Sequence, residues 1–255
     1  MERINLSAVT LCAVTSVNVE ATIAAMRASM EQVAFADCLL LTDAKVSAVP
    51  PEVRLVHIDR VKSAAAYSEF MLCRLIDFIA TTHCLIVQWD GFVLDGGRWD
   101  ERFLDFDYVG APWPQFSDGH DVGNGGFSLR SARLLKACRD PRFVRGHPED
   151  VAICRTNRPL LENEHGIRFA DRAVAARFAC ERTSKVDETF GFHGAFNMVP
   201  ALGAKRFGAI YRTLDDPSTV FHDYWLVARQ LAGARSWRLL ARLTLDRLSA
   251  VGGRR

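Results

Sequence analysis

No stretch of this chain approaches the ~20 consecutive apolar residues that span a bilayer, and no segment is repeated or of low complexity. Met1 to Val9 lacks the apolar core and small-residue cleavage site of a secretory leader, because Glu2 and Arg3 run almost at once into a β-like segment. The seven cysteines, Cys12, Cys38, Cys73, Cys84, Cys138, Cys154 and Cys180, form neither a CxxC pair nor a His/Cys cluster at zinc spacing. An odd, scattered set argues against a disulfide framework and for reduced, mostly buried thiols in a cytoplasmic protein. An excess of one charge is lacking as well: 32 Lys and Arg against 30 Asp and Glu leave a net charge of +2, so no nucleic-acid coat or acidic tail is expected. Neither the G-x-G-x-x-G dinucleotide fingerprint nor a G-K-[ST] phosphate-loop ending occurs.

What is present is the composition of a globular α/β protein, 49% apolar over 255 residues. Ser7 to Val14 reads as a strand, and Thr15-Ser16-Val17-Asn18 as a turn able to cap a helix over Val19 to Val33 whose apolar residues recur three or four apart. Ala36 to Leu41 and Val53 to Ile58 read as buried strands, Ser63 to Thr81 as a second helix, and Cys84 to Gln88 as a further strand. Strands and helices alternating in this way predict an open, mostly parallel sheet covered by helices. Beyond it, Trp99 to Phe116 reads as loops and short strands, Phe127 to Arg130 as a strand returning to the sheet, Ser131 to Ala137 as a capped helix, and Glu149 to Cys154 as the start of another. From Tyr224 the chain is helical, with leucines and tryptophans interleaved with arginines. The simplest partition is one domain over residues 1–222 and a basic amphipathic tail over 223–255.

Four groups carry chemistry, and each has a plain structural alternative. Asp90, in Gln88-Trp89-Asp90-Gly91, follows a buried strand at the edge where open α/β sheets bind ligands, so it suits a hard divalent cation, or else forms a turn before glycine. Gly123-Asn124-Gly125-Gly126-Phe127 is either a tight turn or a loop whose backbone approaches a ligand. Glu149 and Asp150 are helical neighbours that do not share a face, so at most one serves as a general base while the other caps the helix or pairs with a cation. His193, between Phe192 and Gly194, is either a metal ligand or a packed core residue.

Taken in order, Leu85 to Phe92, Phe103 to Trp113, Val122 to Arg130, Glu149-Asp150-Val151 and Phe190 to Gly194 resemble the family catalogued as domain of unknown function 5672. Its members, found among bacteria and fungi, are regarded as glycosyltransferase-like proteins of the GT-A type. The resemblance implies a Rossmann-related GT-A-like sheet and a metal-dependent transferase. Such an enzyme moves a sugar from a nucleotide-diphosphate donor, a UDP-sugar first among them, to a hydroxyl of a glycan or lipid-linked acceptor in bacterial surface polysaccharide synthesis. It implies that Asp90 holds Mn or Mg, that Gln88 stands where a first Asp often sits, that His193 completes the metal shell, and that Asp150, with Glu149 next, is the base of an inverting reaction. Thr15, Ser16, Asp43, Gln88, Trp89 and Asp90 would meet the nucleotide. Asn124, Gly125 and Gly126 would line the sugar or acceptor cleft, with Trp89, Trp113 or Phe127 stacking on a sugar. Two alternatives stand beside this: a non-catalytic nucleotide- or carbohydrate-binding protein, suggested by Gln88, and a protein that uses its basic tail on the inner membrane surface.

Overall fold

The computed structural model describes residues 3–46 and 48–252. The chain divides into two compact units, Met1–His193 and Gly194–Arg255. This division falls earlier than the expected boundary after residue 222, since the helices that follow His193 group with the tail.

The first unit is α/β. Strands β1 (Ile4–Val14), β2 (Val33–Thr42), β3 (Val53–His57) and β4 (His83–Ile86) are joined by the helices α1 (Val19–Gln32) and α2 (Ala64–Cys73). The short strands β5 (Tyr108–Val109), β6 (Ala111–Pro112), β7 (Val122–Gly123) and β8 (Ser128–Ser131) follow, and β9 (Ala179–Cys180) and β10 (Gly191–Phe192) close the unit. The main sheet has the order β3-β2-β1-β4-β8-β5. Its first four strands are parallel, whereas β8 runs antiparallel to β4 and β5. Cys12, Val14, Leu39, Leu41, Cys84 and Ile86 form one face, packed with Met71 and Leu75 beneath α2. The alternate residues Leu11, Ala13, Leu40 and Leu85 are buried too. Burial on both faces is why these strands read as near-continuous apolar runs.

The helix expected over Ser63 to Thr81 is two pieces, α2 and a 3₁₀ turn Leu75–Phe78. Helix α3 (Ala132–Ala137) is capped as expected by Ser131, whose hydroxyl accepts from the Leu134 N–H. Helix α4 (Glu149–Val151) runs into a π-helical turn, Ala152–Thr156. Two helices that the periodicity did not announce, α5 (Arg158–His165) and α6 (Arg172–Phe178), follow.

The second unit consists of α7 (Ala195–Tyr211), kinked at Gly203, α8 (Ser218–His222), α9 (Tyr224–Gly233) and α10 (Trp237–Gly252). Val220, Val227, Leu231 and Leu243 are buried within it.

Candidate active site

From β1 the chain turns to β2 on one side, and it later enters β4 on the other, so the carboxyl ends of β1 and β4 flank the point where the strand order reverses. Open α/β sheets bind ligands in that crevice. After β4, Gln88 and Gly91 exchange backbone N–H···O bonds of 3.0 Å, leaving Trp89 and Asp90 at the tip of a tight turn. Because β8 is antiparallel, it brings to this edge the loop that precedes it: Ile86 pairs with Ser128, so Gly123 to Phe127 lies beside Gln88 to Gly91. Asn124 takes a left-handed backbone, φ 71°, which asparagine tolerates better than most residues. Its Oδ1 accepts from the Gly126 N–H at 3.0 Å, and its carbonyl accepts from the Tyr108 hydroxyl at 3.0 Å.

A separate parallel pair supplies the histidine. Phe192 of β10 pairs with Cys180 of β9, so the residues just beyond, His193 and Glu181, emerge together, and the His193 N–H donates to the Cys180 carbonyl at 2.9 Å. His193 Nδ1 lies 3.4 Å from Glu181 Oε1, whereas Nε2 lies 3.4 Å from Gln88 Oε1 and 3.8 Å from Asp90 Oδ1. The ring sits between glycines. A Cβ on Gly91 would stand 2.8 Å from His193 Cδ2, and one on Gly126 would overlap the ring at Nε2. Burial opposes a charged imidazole here, but Asp90 first, then Glu181 and Asp150, outweigh it and lift the His193 pKa to about 9.

The adjacent carboxylates at the start of α4 have different partners. Glu149 Oε1 receives the Arg130 Nη2 at 2.9 Å and Oε2 receives the Ser68 hydroxyl at 3.3 Å; the Arg130 side chain is 0% exposed. Asp150 Oδ2 instead accepts from the Gly125 N–H at 3.1 Å and Oδ1 from the Val151 N–H at 2.8 Å. Burial, and after it the Glu149 charge, pushes the Asp150 carboxyl above the ordinary value. A raised carboxyl pKa makes a stronger base.

These segments enclose a cavity of about 250 Å³ lined by Gln88, Trp113, Asn124, Gly125, Gly126, Glu149, Asp150, Glu181 and His193, with Tyr67 and His147 at its α2 side. Asp90 reaches it through His193. Thr15, Ser16 and Asp43 lie at the same edge of the sheet, after β1 and β2, but outside the lining: the Ser16 hydroxyl accepts from the Val61 N–H at 2.8 Å. Two expectations require correction. Phe127 does not face a sugar, since its ring is fully buried against Phe178, 5.1 Å between centroids, and Phe190. Glu149 is not an available base, because Arg130 and Ser68 occupy its oxygens. Trp89 is buried and absent from the lining, whereas Trp113 lines the cavity, its ring packed over Gly123.

Sequence reasoning missed Tyr67, whose hydroxyl accepts from Gln88 Nε2 at 3.1 Å, as well as Glu181 and Arg130. Glu181 stands at the edge of a polar stretch, and only the β9–β10 pairing reveals its place. Arg130 follows Leu129 in a strand whose every residue is buried, so alternation gave no sign of it.

As a test of fit for a cation, no three His, Cys, Asp or Glu side chains stand together at ligating distances among the described residues. Asp90 and His193 form a pair instead: with Nδ1 turned to Glu181, His193 presents Nε2 toward Asp90, and an imidazole so placed must lose its proton before it can ligate a cation. The buried Asn124 Nδ2, on a cavity-lining residue, has no hydrogen-bond partner among the described residues, an unmet donor suited to a ligand oxygen.

The model of a family described as "Protein of unknown function (DUF5672)" matches residues 51–193, more than half of the 255-residue chain. None of the curated proteins matches. Among solved structures, the galactosyltransferase LgtC in complex with donor and acceptor sugar analogs is similar at 12% identity, covering 84% of this chain and 99% of that one, with a TM-score of 0.44. The mannosyltransferase PcManGT from Pyrobaculum calidifontis, in complex with GDP-Man and Mn2+, is similar at 13% identity over 96% of this chain and 80% of that one, TM-score 0.42. A glycosyltransferase involved in glycosylation of the major capsid of PBCV-1 is similar at 10% identity over 80% and 98%, TM-score 0.44.

Proposed function

We propose that this chain, which belongs to the DUF5672 family, is a metal-dependent glycosyltransferase that moves a sugar from a nucleotide-diphosphate donor to a hydroxyl acceptor with inversion. The observation that supports this reading is that Asp150 and His193, far apart along the chain, line one crevice at the reversal point of the sheet, with Asp90 Oδ1 3.8 Å from His193 Nε2.

In this reading Asp90 and His193 hold a divalent cation, Mn2+ or Mg2+, which when bound neutralises charge on the donor diphosphate. Gln88 would hydrogen-bond a ribose hydroxyl or a water in that shell, and Thr15, Ser16 and Asp43, after β1 and β2, would meet the nucleoside. Asn124 Nδ2 donates to a sugar or acceptor oxygen, and Trp113 offers a wall. Asp150, kept in place by the Gly125 and Val151 N–H groups, takes the proton of the acceptor hydroxyl. The acceptor oxygen bonds to the anomeric carbon as the bond to the diphosphate oxygen breaks on the opposite side. The donor proposed is a UDP-sugar and the acceptor a glycan or lipid-linked glycan, as in surface polysaccharide synthesis.

The test is a thermal-shift screen of nucleoside diphosphates and UDP-sugars with and without Mn2+, repeated on Asp90→Ala and followed by a transfer assay. A ligand at 100 times its Kd stabilises by about 2.7 kcal/mol, and Asp90→Ala abolishes the Mn2+-dependent part. No shift with any nucleotide in Mn2+ would refute the reading. A second reading, a nucleotide- or carbohydrate-binding protein without turnover, draws on Gln88 in place of a second carboxylate; it is favoured by tight nucleotide binding in the absence of both transfer and donor hydrolysis.

A further inference from the structure

The Gly194–Arg255 unit contains a groove of about 680 Å³ lined by Lys205, Arg212, Arg235, Arg238 and Arg242, with no acidic residue in its lining among the described residues. The rest of its lining is Ala204 and Gly208 of α7 and Ser236, Trp237 and Leu239 at the entry to α10. The opening turn of this 16-residue helix has backbone N–H groups without intrahelical acceptors and the positive end of the helix dipole. Arg235 and Arg238 flank this N-terminus, and Lys205 and Arg212, from α7 and its C-terminal cap, line the same groove, a set of cations suited to oxyanions.

The leucines of α10 range from buried to exposed, Leu239 and Leu240 being half-buried. Leu243 is 1% exposed and serves the interior of the unit, whereas Leu245 and Leu248 are each 63% exposed and Trp237 is 60% exposed. Trp237, Ala241, Leu245 and Leu248 follow one another four, four and three residues apart, so they share one side of the helix, and Arg238 and Arg242 lie next to them. Arg242 is also 3.5 Å from Asp246. On α9, Trp225 is 76% exposed. Burying the inner leucines therefore leaves an outward apolar stripe bordered by arginines and continuous with the cationic groove. A soluble polyanion would satisfy the groove but leave the stripe in water. A bilayer with anionic headgroups satisfies both.

We propose that this unit docks peripherally on an anionic phospholipid surface, its groove receiving lipid phosphates while Trp237, Leu245 and Leu248 enter the headgroup and acyl boundary. No described helix is long and apolar enough to cross a membrane. The proposal stands apart from the transferase reading, because none of these residues lines the cavity around His193.

The test floats the full chain with vesicles of phosphatidylcholine alone, and of phosphatidylcholine with about one-third phosphatidylglycerol. Binding is expected on the anionic vesicles, weakening as salt rises. Each basic side chain at such a surface contributes about fivefold, so Arg235→Gln/Arg238→Gln should lower the partition coefficient roughly 25-fold. Leu245→Ser/Leu248→Ser should lower it at least about tenfold. Circular dichroism checks that these exposed substitutions leave the fold intact. Failure to float with anionic vesicles overturns the proposal, as does equal binding by both variants. Full displacement by inorganic phosphate at constant ionic strength overturns it too, reassigning the groove to a soluble anion.

Discussion

Truncating Glu149 should destabilise this protein more than truncating most residues of its core. Glu149→Ala leaves a guanidinium with 0% exposure hydrogen-bonded to the Ser128 hydroxyl at 3.0 Å and the Gly125 carbonyl at 3.3 Å and set over the Tyr108 ring, while Nη1 already has no hydrogen-bond partner among the described residues. Removing one member of a buried ion pair costs about 3–5 kcal/mol. At about 2–4 °C per kcal/mol for a chain of this size, the melting midpoint should fall by roughly 6–20 °C. Glu149→Gln keeps an oxygen for Arg130 and should lose less than half as much. Converting both partners, Arg130→Met with Glu149→Met, should restore most of the stability, because the uncompensated charge is gone. Urea unfolding followed by circular dichroism, with linear extrapolation, measures all four proteins. A loss below about 1 kcal/mol in Glu149→Ala, the value of an exposed pair, would refute the claim that this carboxylate is structural and return it to consideration as a base.

Asp150→Asn should lower transfer by about 10²–10⁴-fold while nucleotide binding in Mn2+ is retained, the mark of a lost general base; parallel loss of binding would assign Asp150 to the donor instead. Gly126→Ala must displace the His193 ring, so Mn2+-dependent nucleotide affinity should fall with a stability loss of about 1–3 kcal/mol from overpacking, and unchanged affinity would mean that the ring position is immaterial. For Asp107, burial opposes ionisation, yet hydrogen bonds from Arg133, Ser131 and the Arg168 N–H outweigh it and hold its carboxyl below the ordinary value. A folded-state pKa lowered in this way stabilises above the unfolded value of about 3.9 and loses that contribution as pH falls through the folded one. The stability gap between the parent and Asp107→Asn should therefore be full at neutral pH and shrink on acidification below about pH 4; a gap independent of pH would refute this.

The parallel half of the sheet was legible because strands covered on both faces are written as apolar runs, and α1 because its buried residues recur at helical spacing. The edge carrying Asp90 followed from the end of such a run. The division of labour between Glu149 and Asp150 did not, since it depends on a guanidinium delivered from β8, nineteen positions earlier in the chain. The fate of Phe127 was hidden for a similar reason: an aromatic beside a glycine-rich turn looks the same whether it faces a cleft or joins Phe178 and Phe190 inside. Glu181 was hidden by the short β9–β10 pairing, two residues per strand, too brief to leave a periodic trace.

The antiparallel entry of β8 has a consequence for how this pocket changes over time. A parallel neighbour offers the edge only the segment that leaves it, but a reversed one offers the segment that enters, and such a segment can lengthen or shorten without shifting the registry of any strand behind it. Residues 114–120, the turn between β6 and β7, are therefore free to be rewritten in length and shape above an unaltered platform, whereas Gly123 to Gly126 are held by close contacts, and diversity around the cavity should accumulate in that turn first.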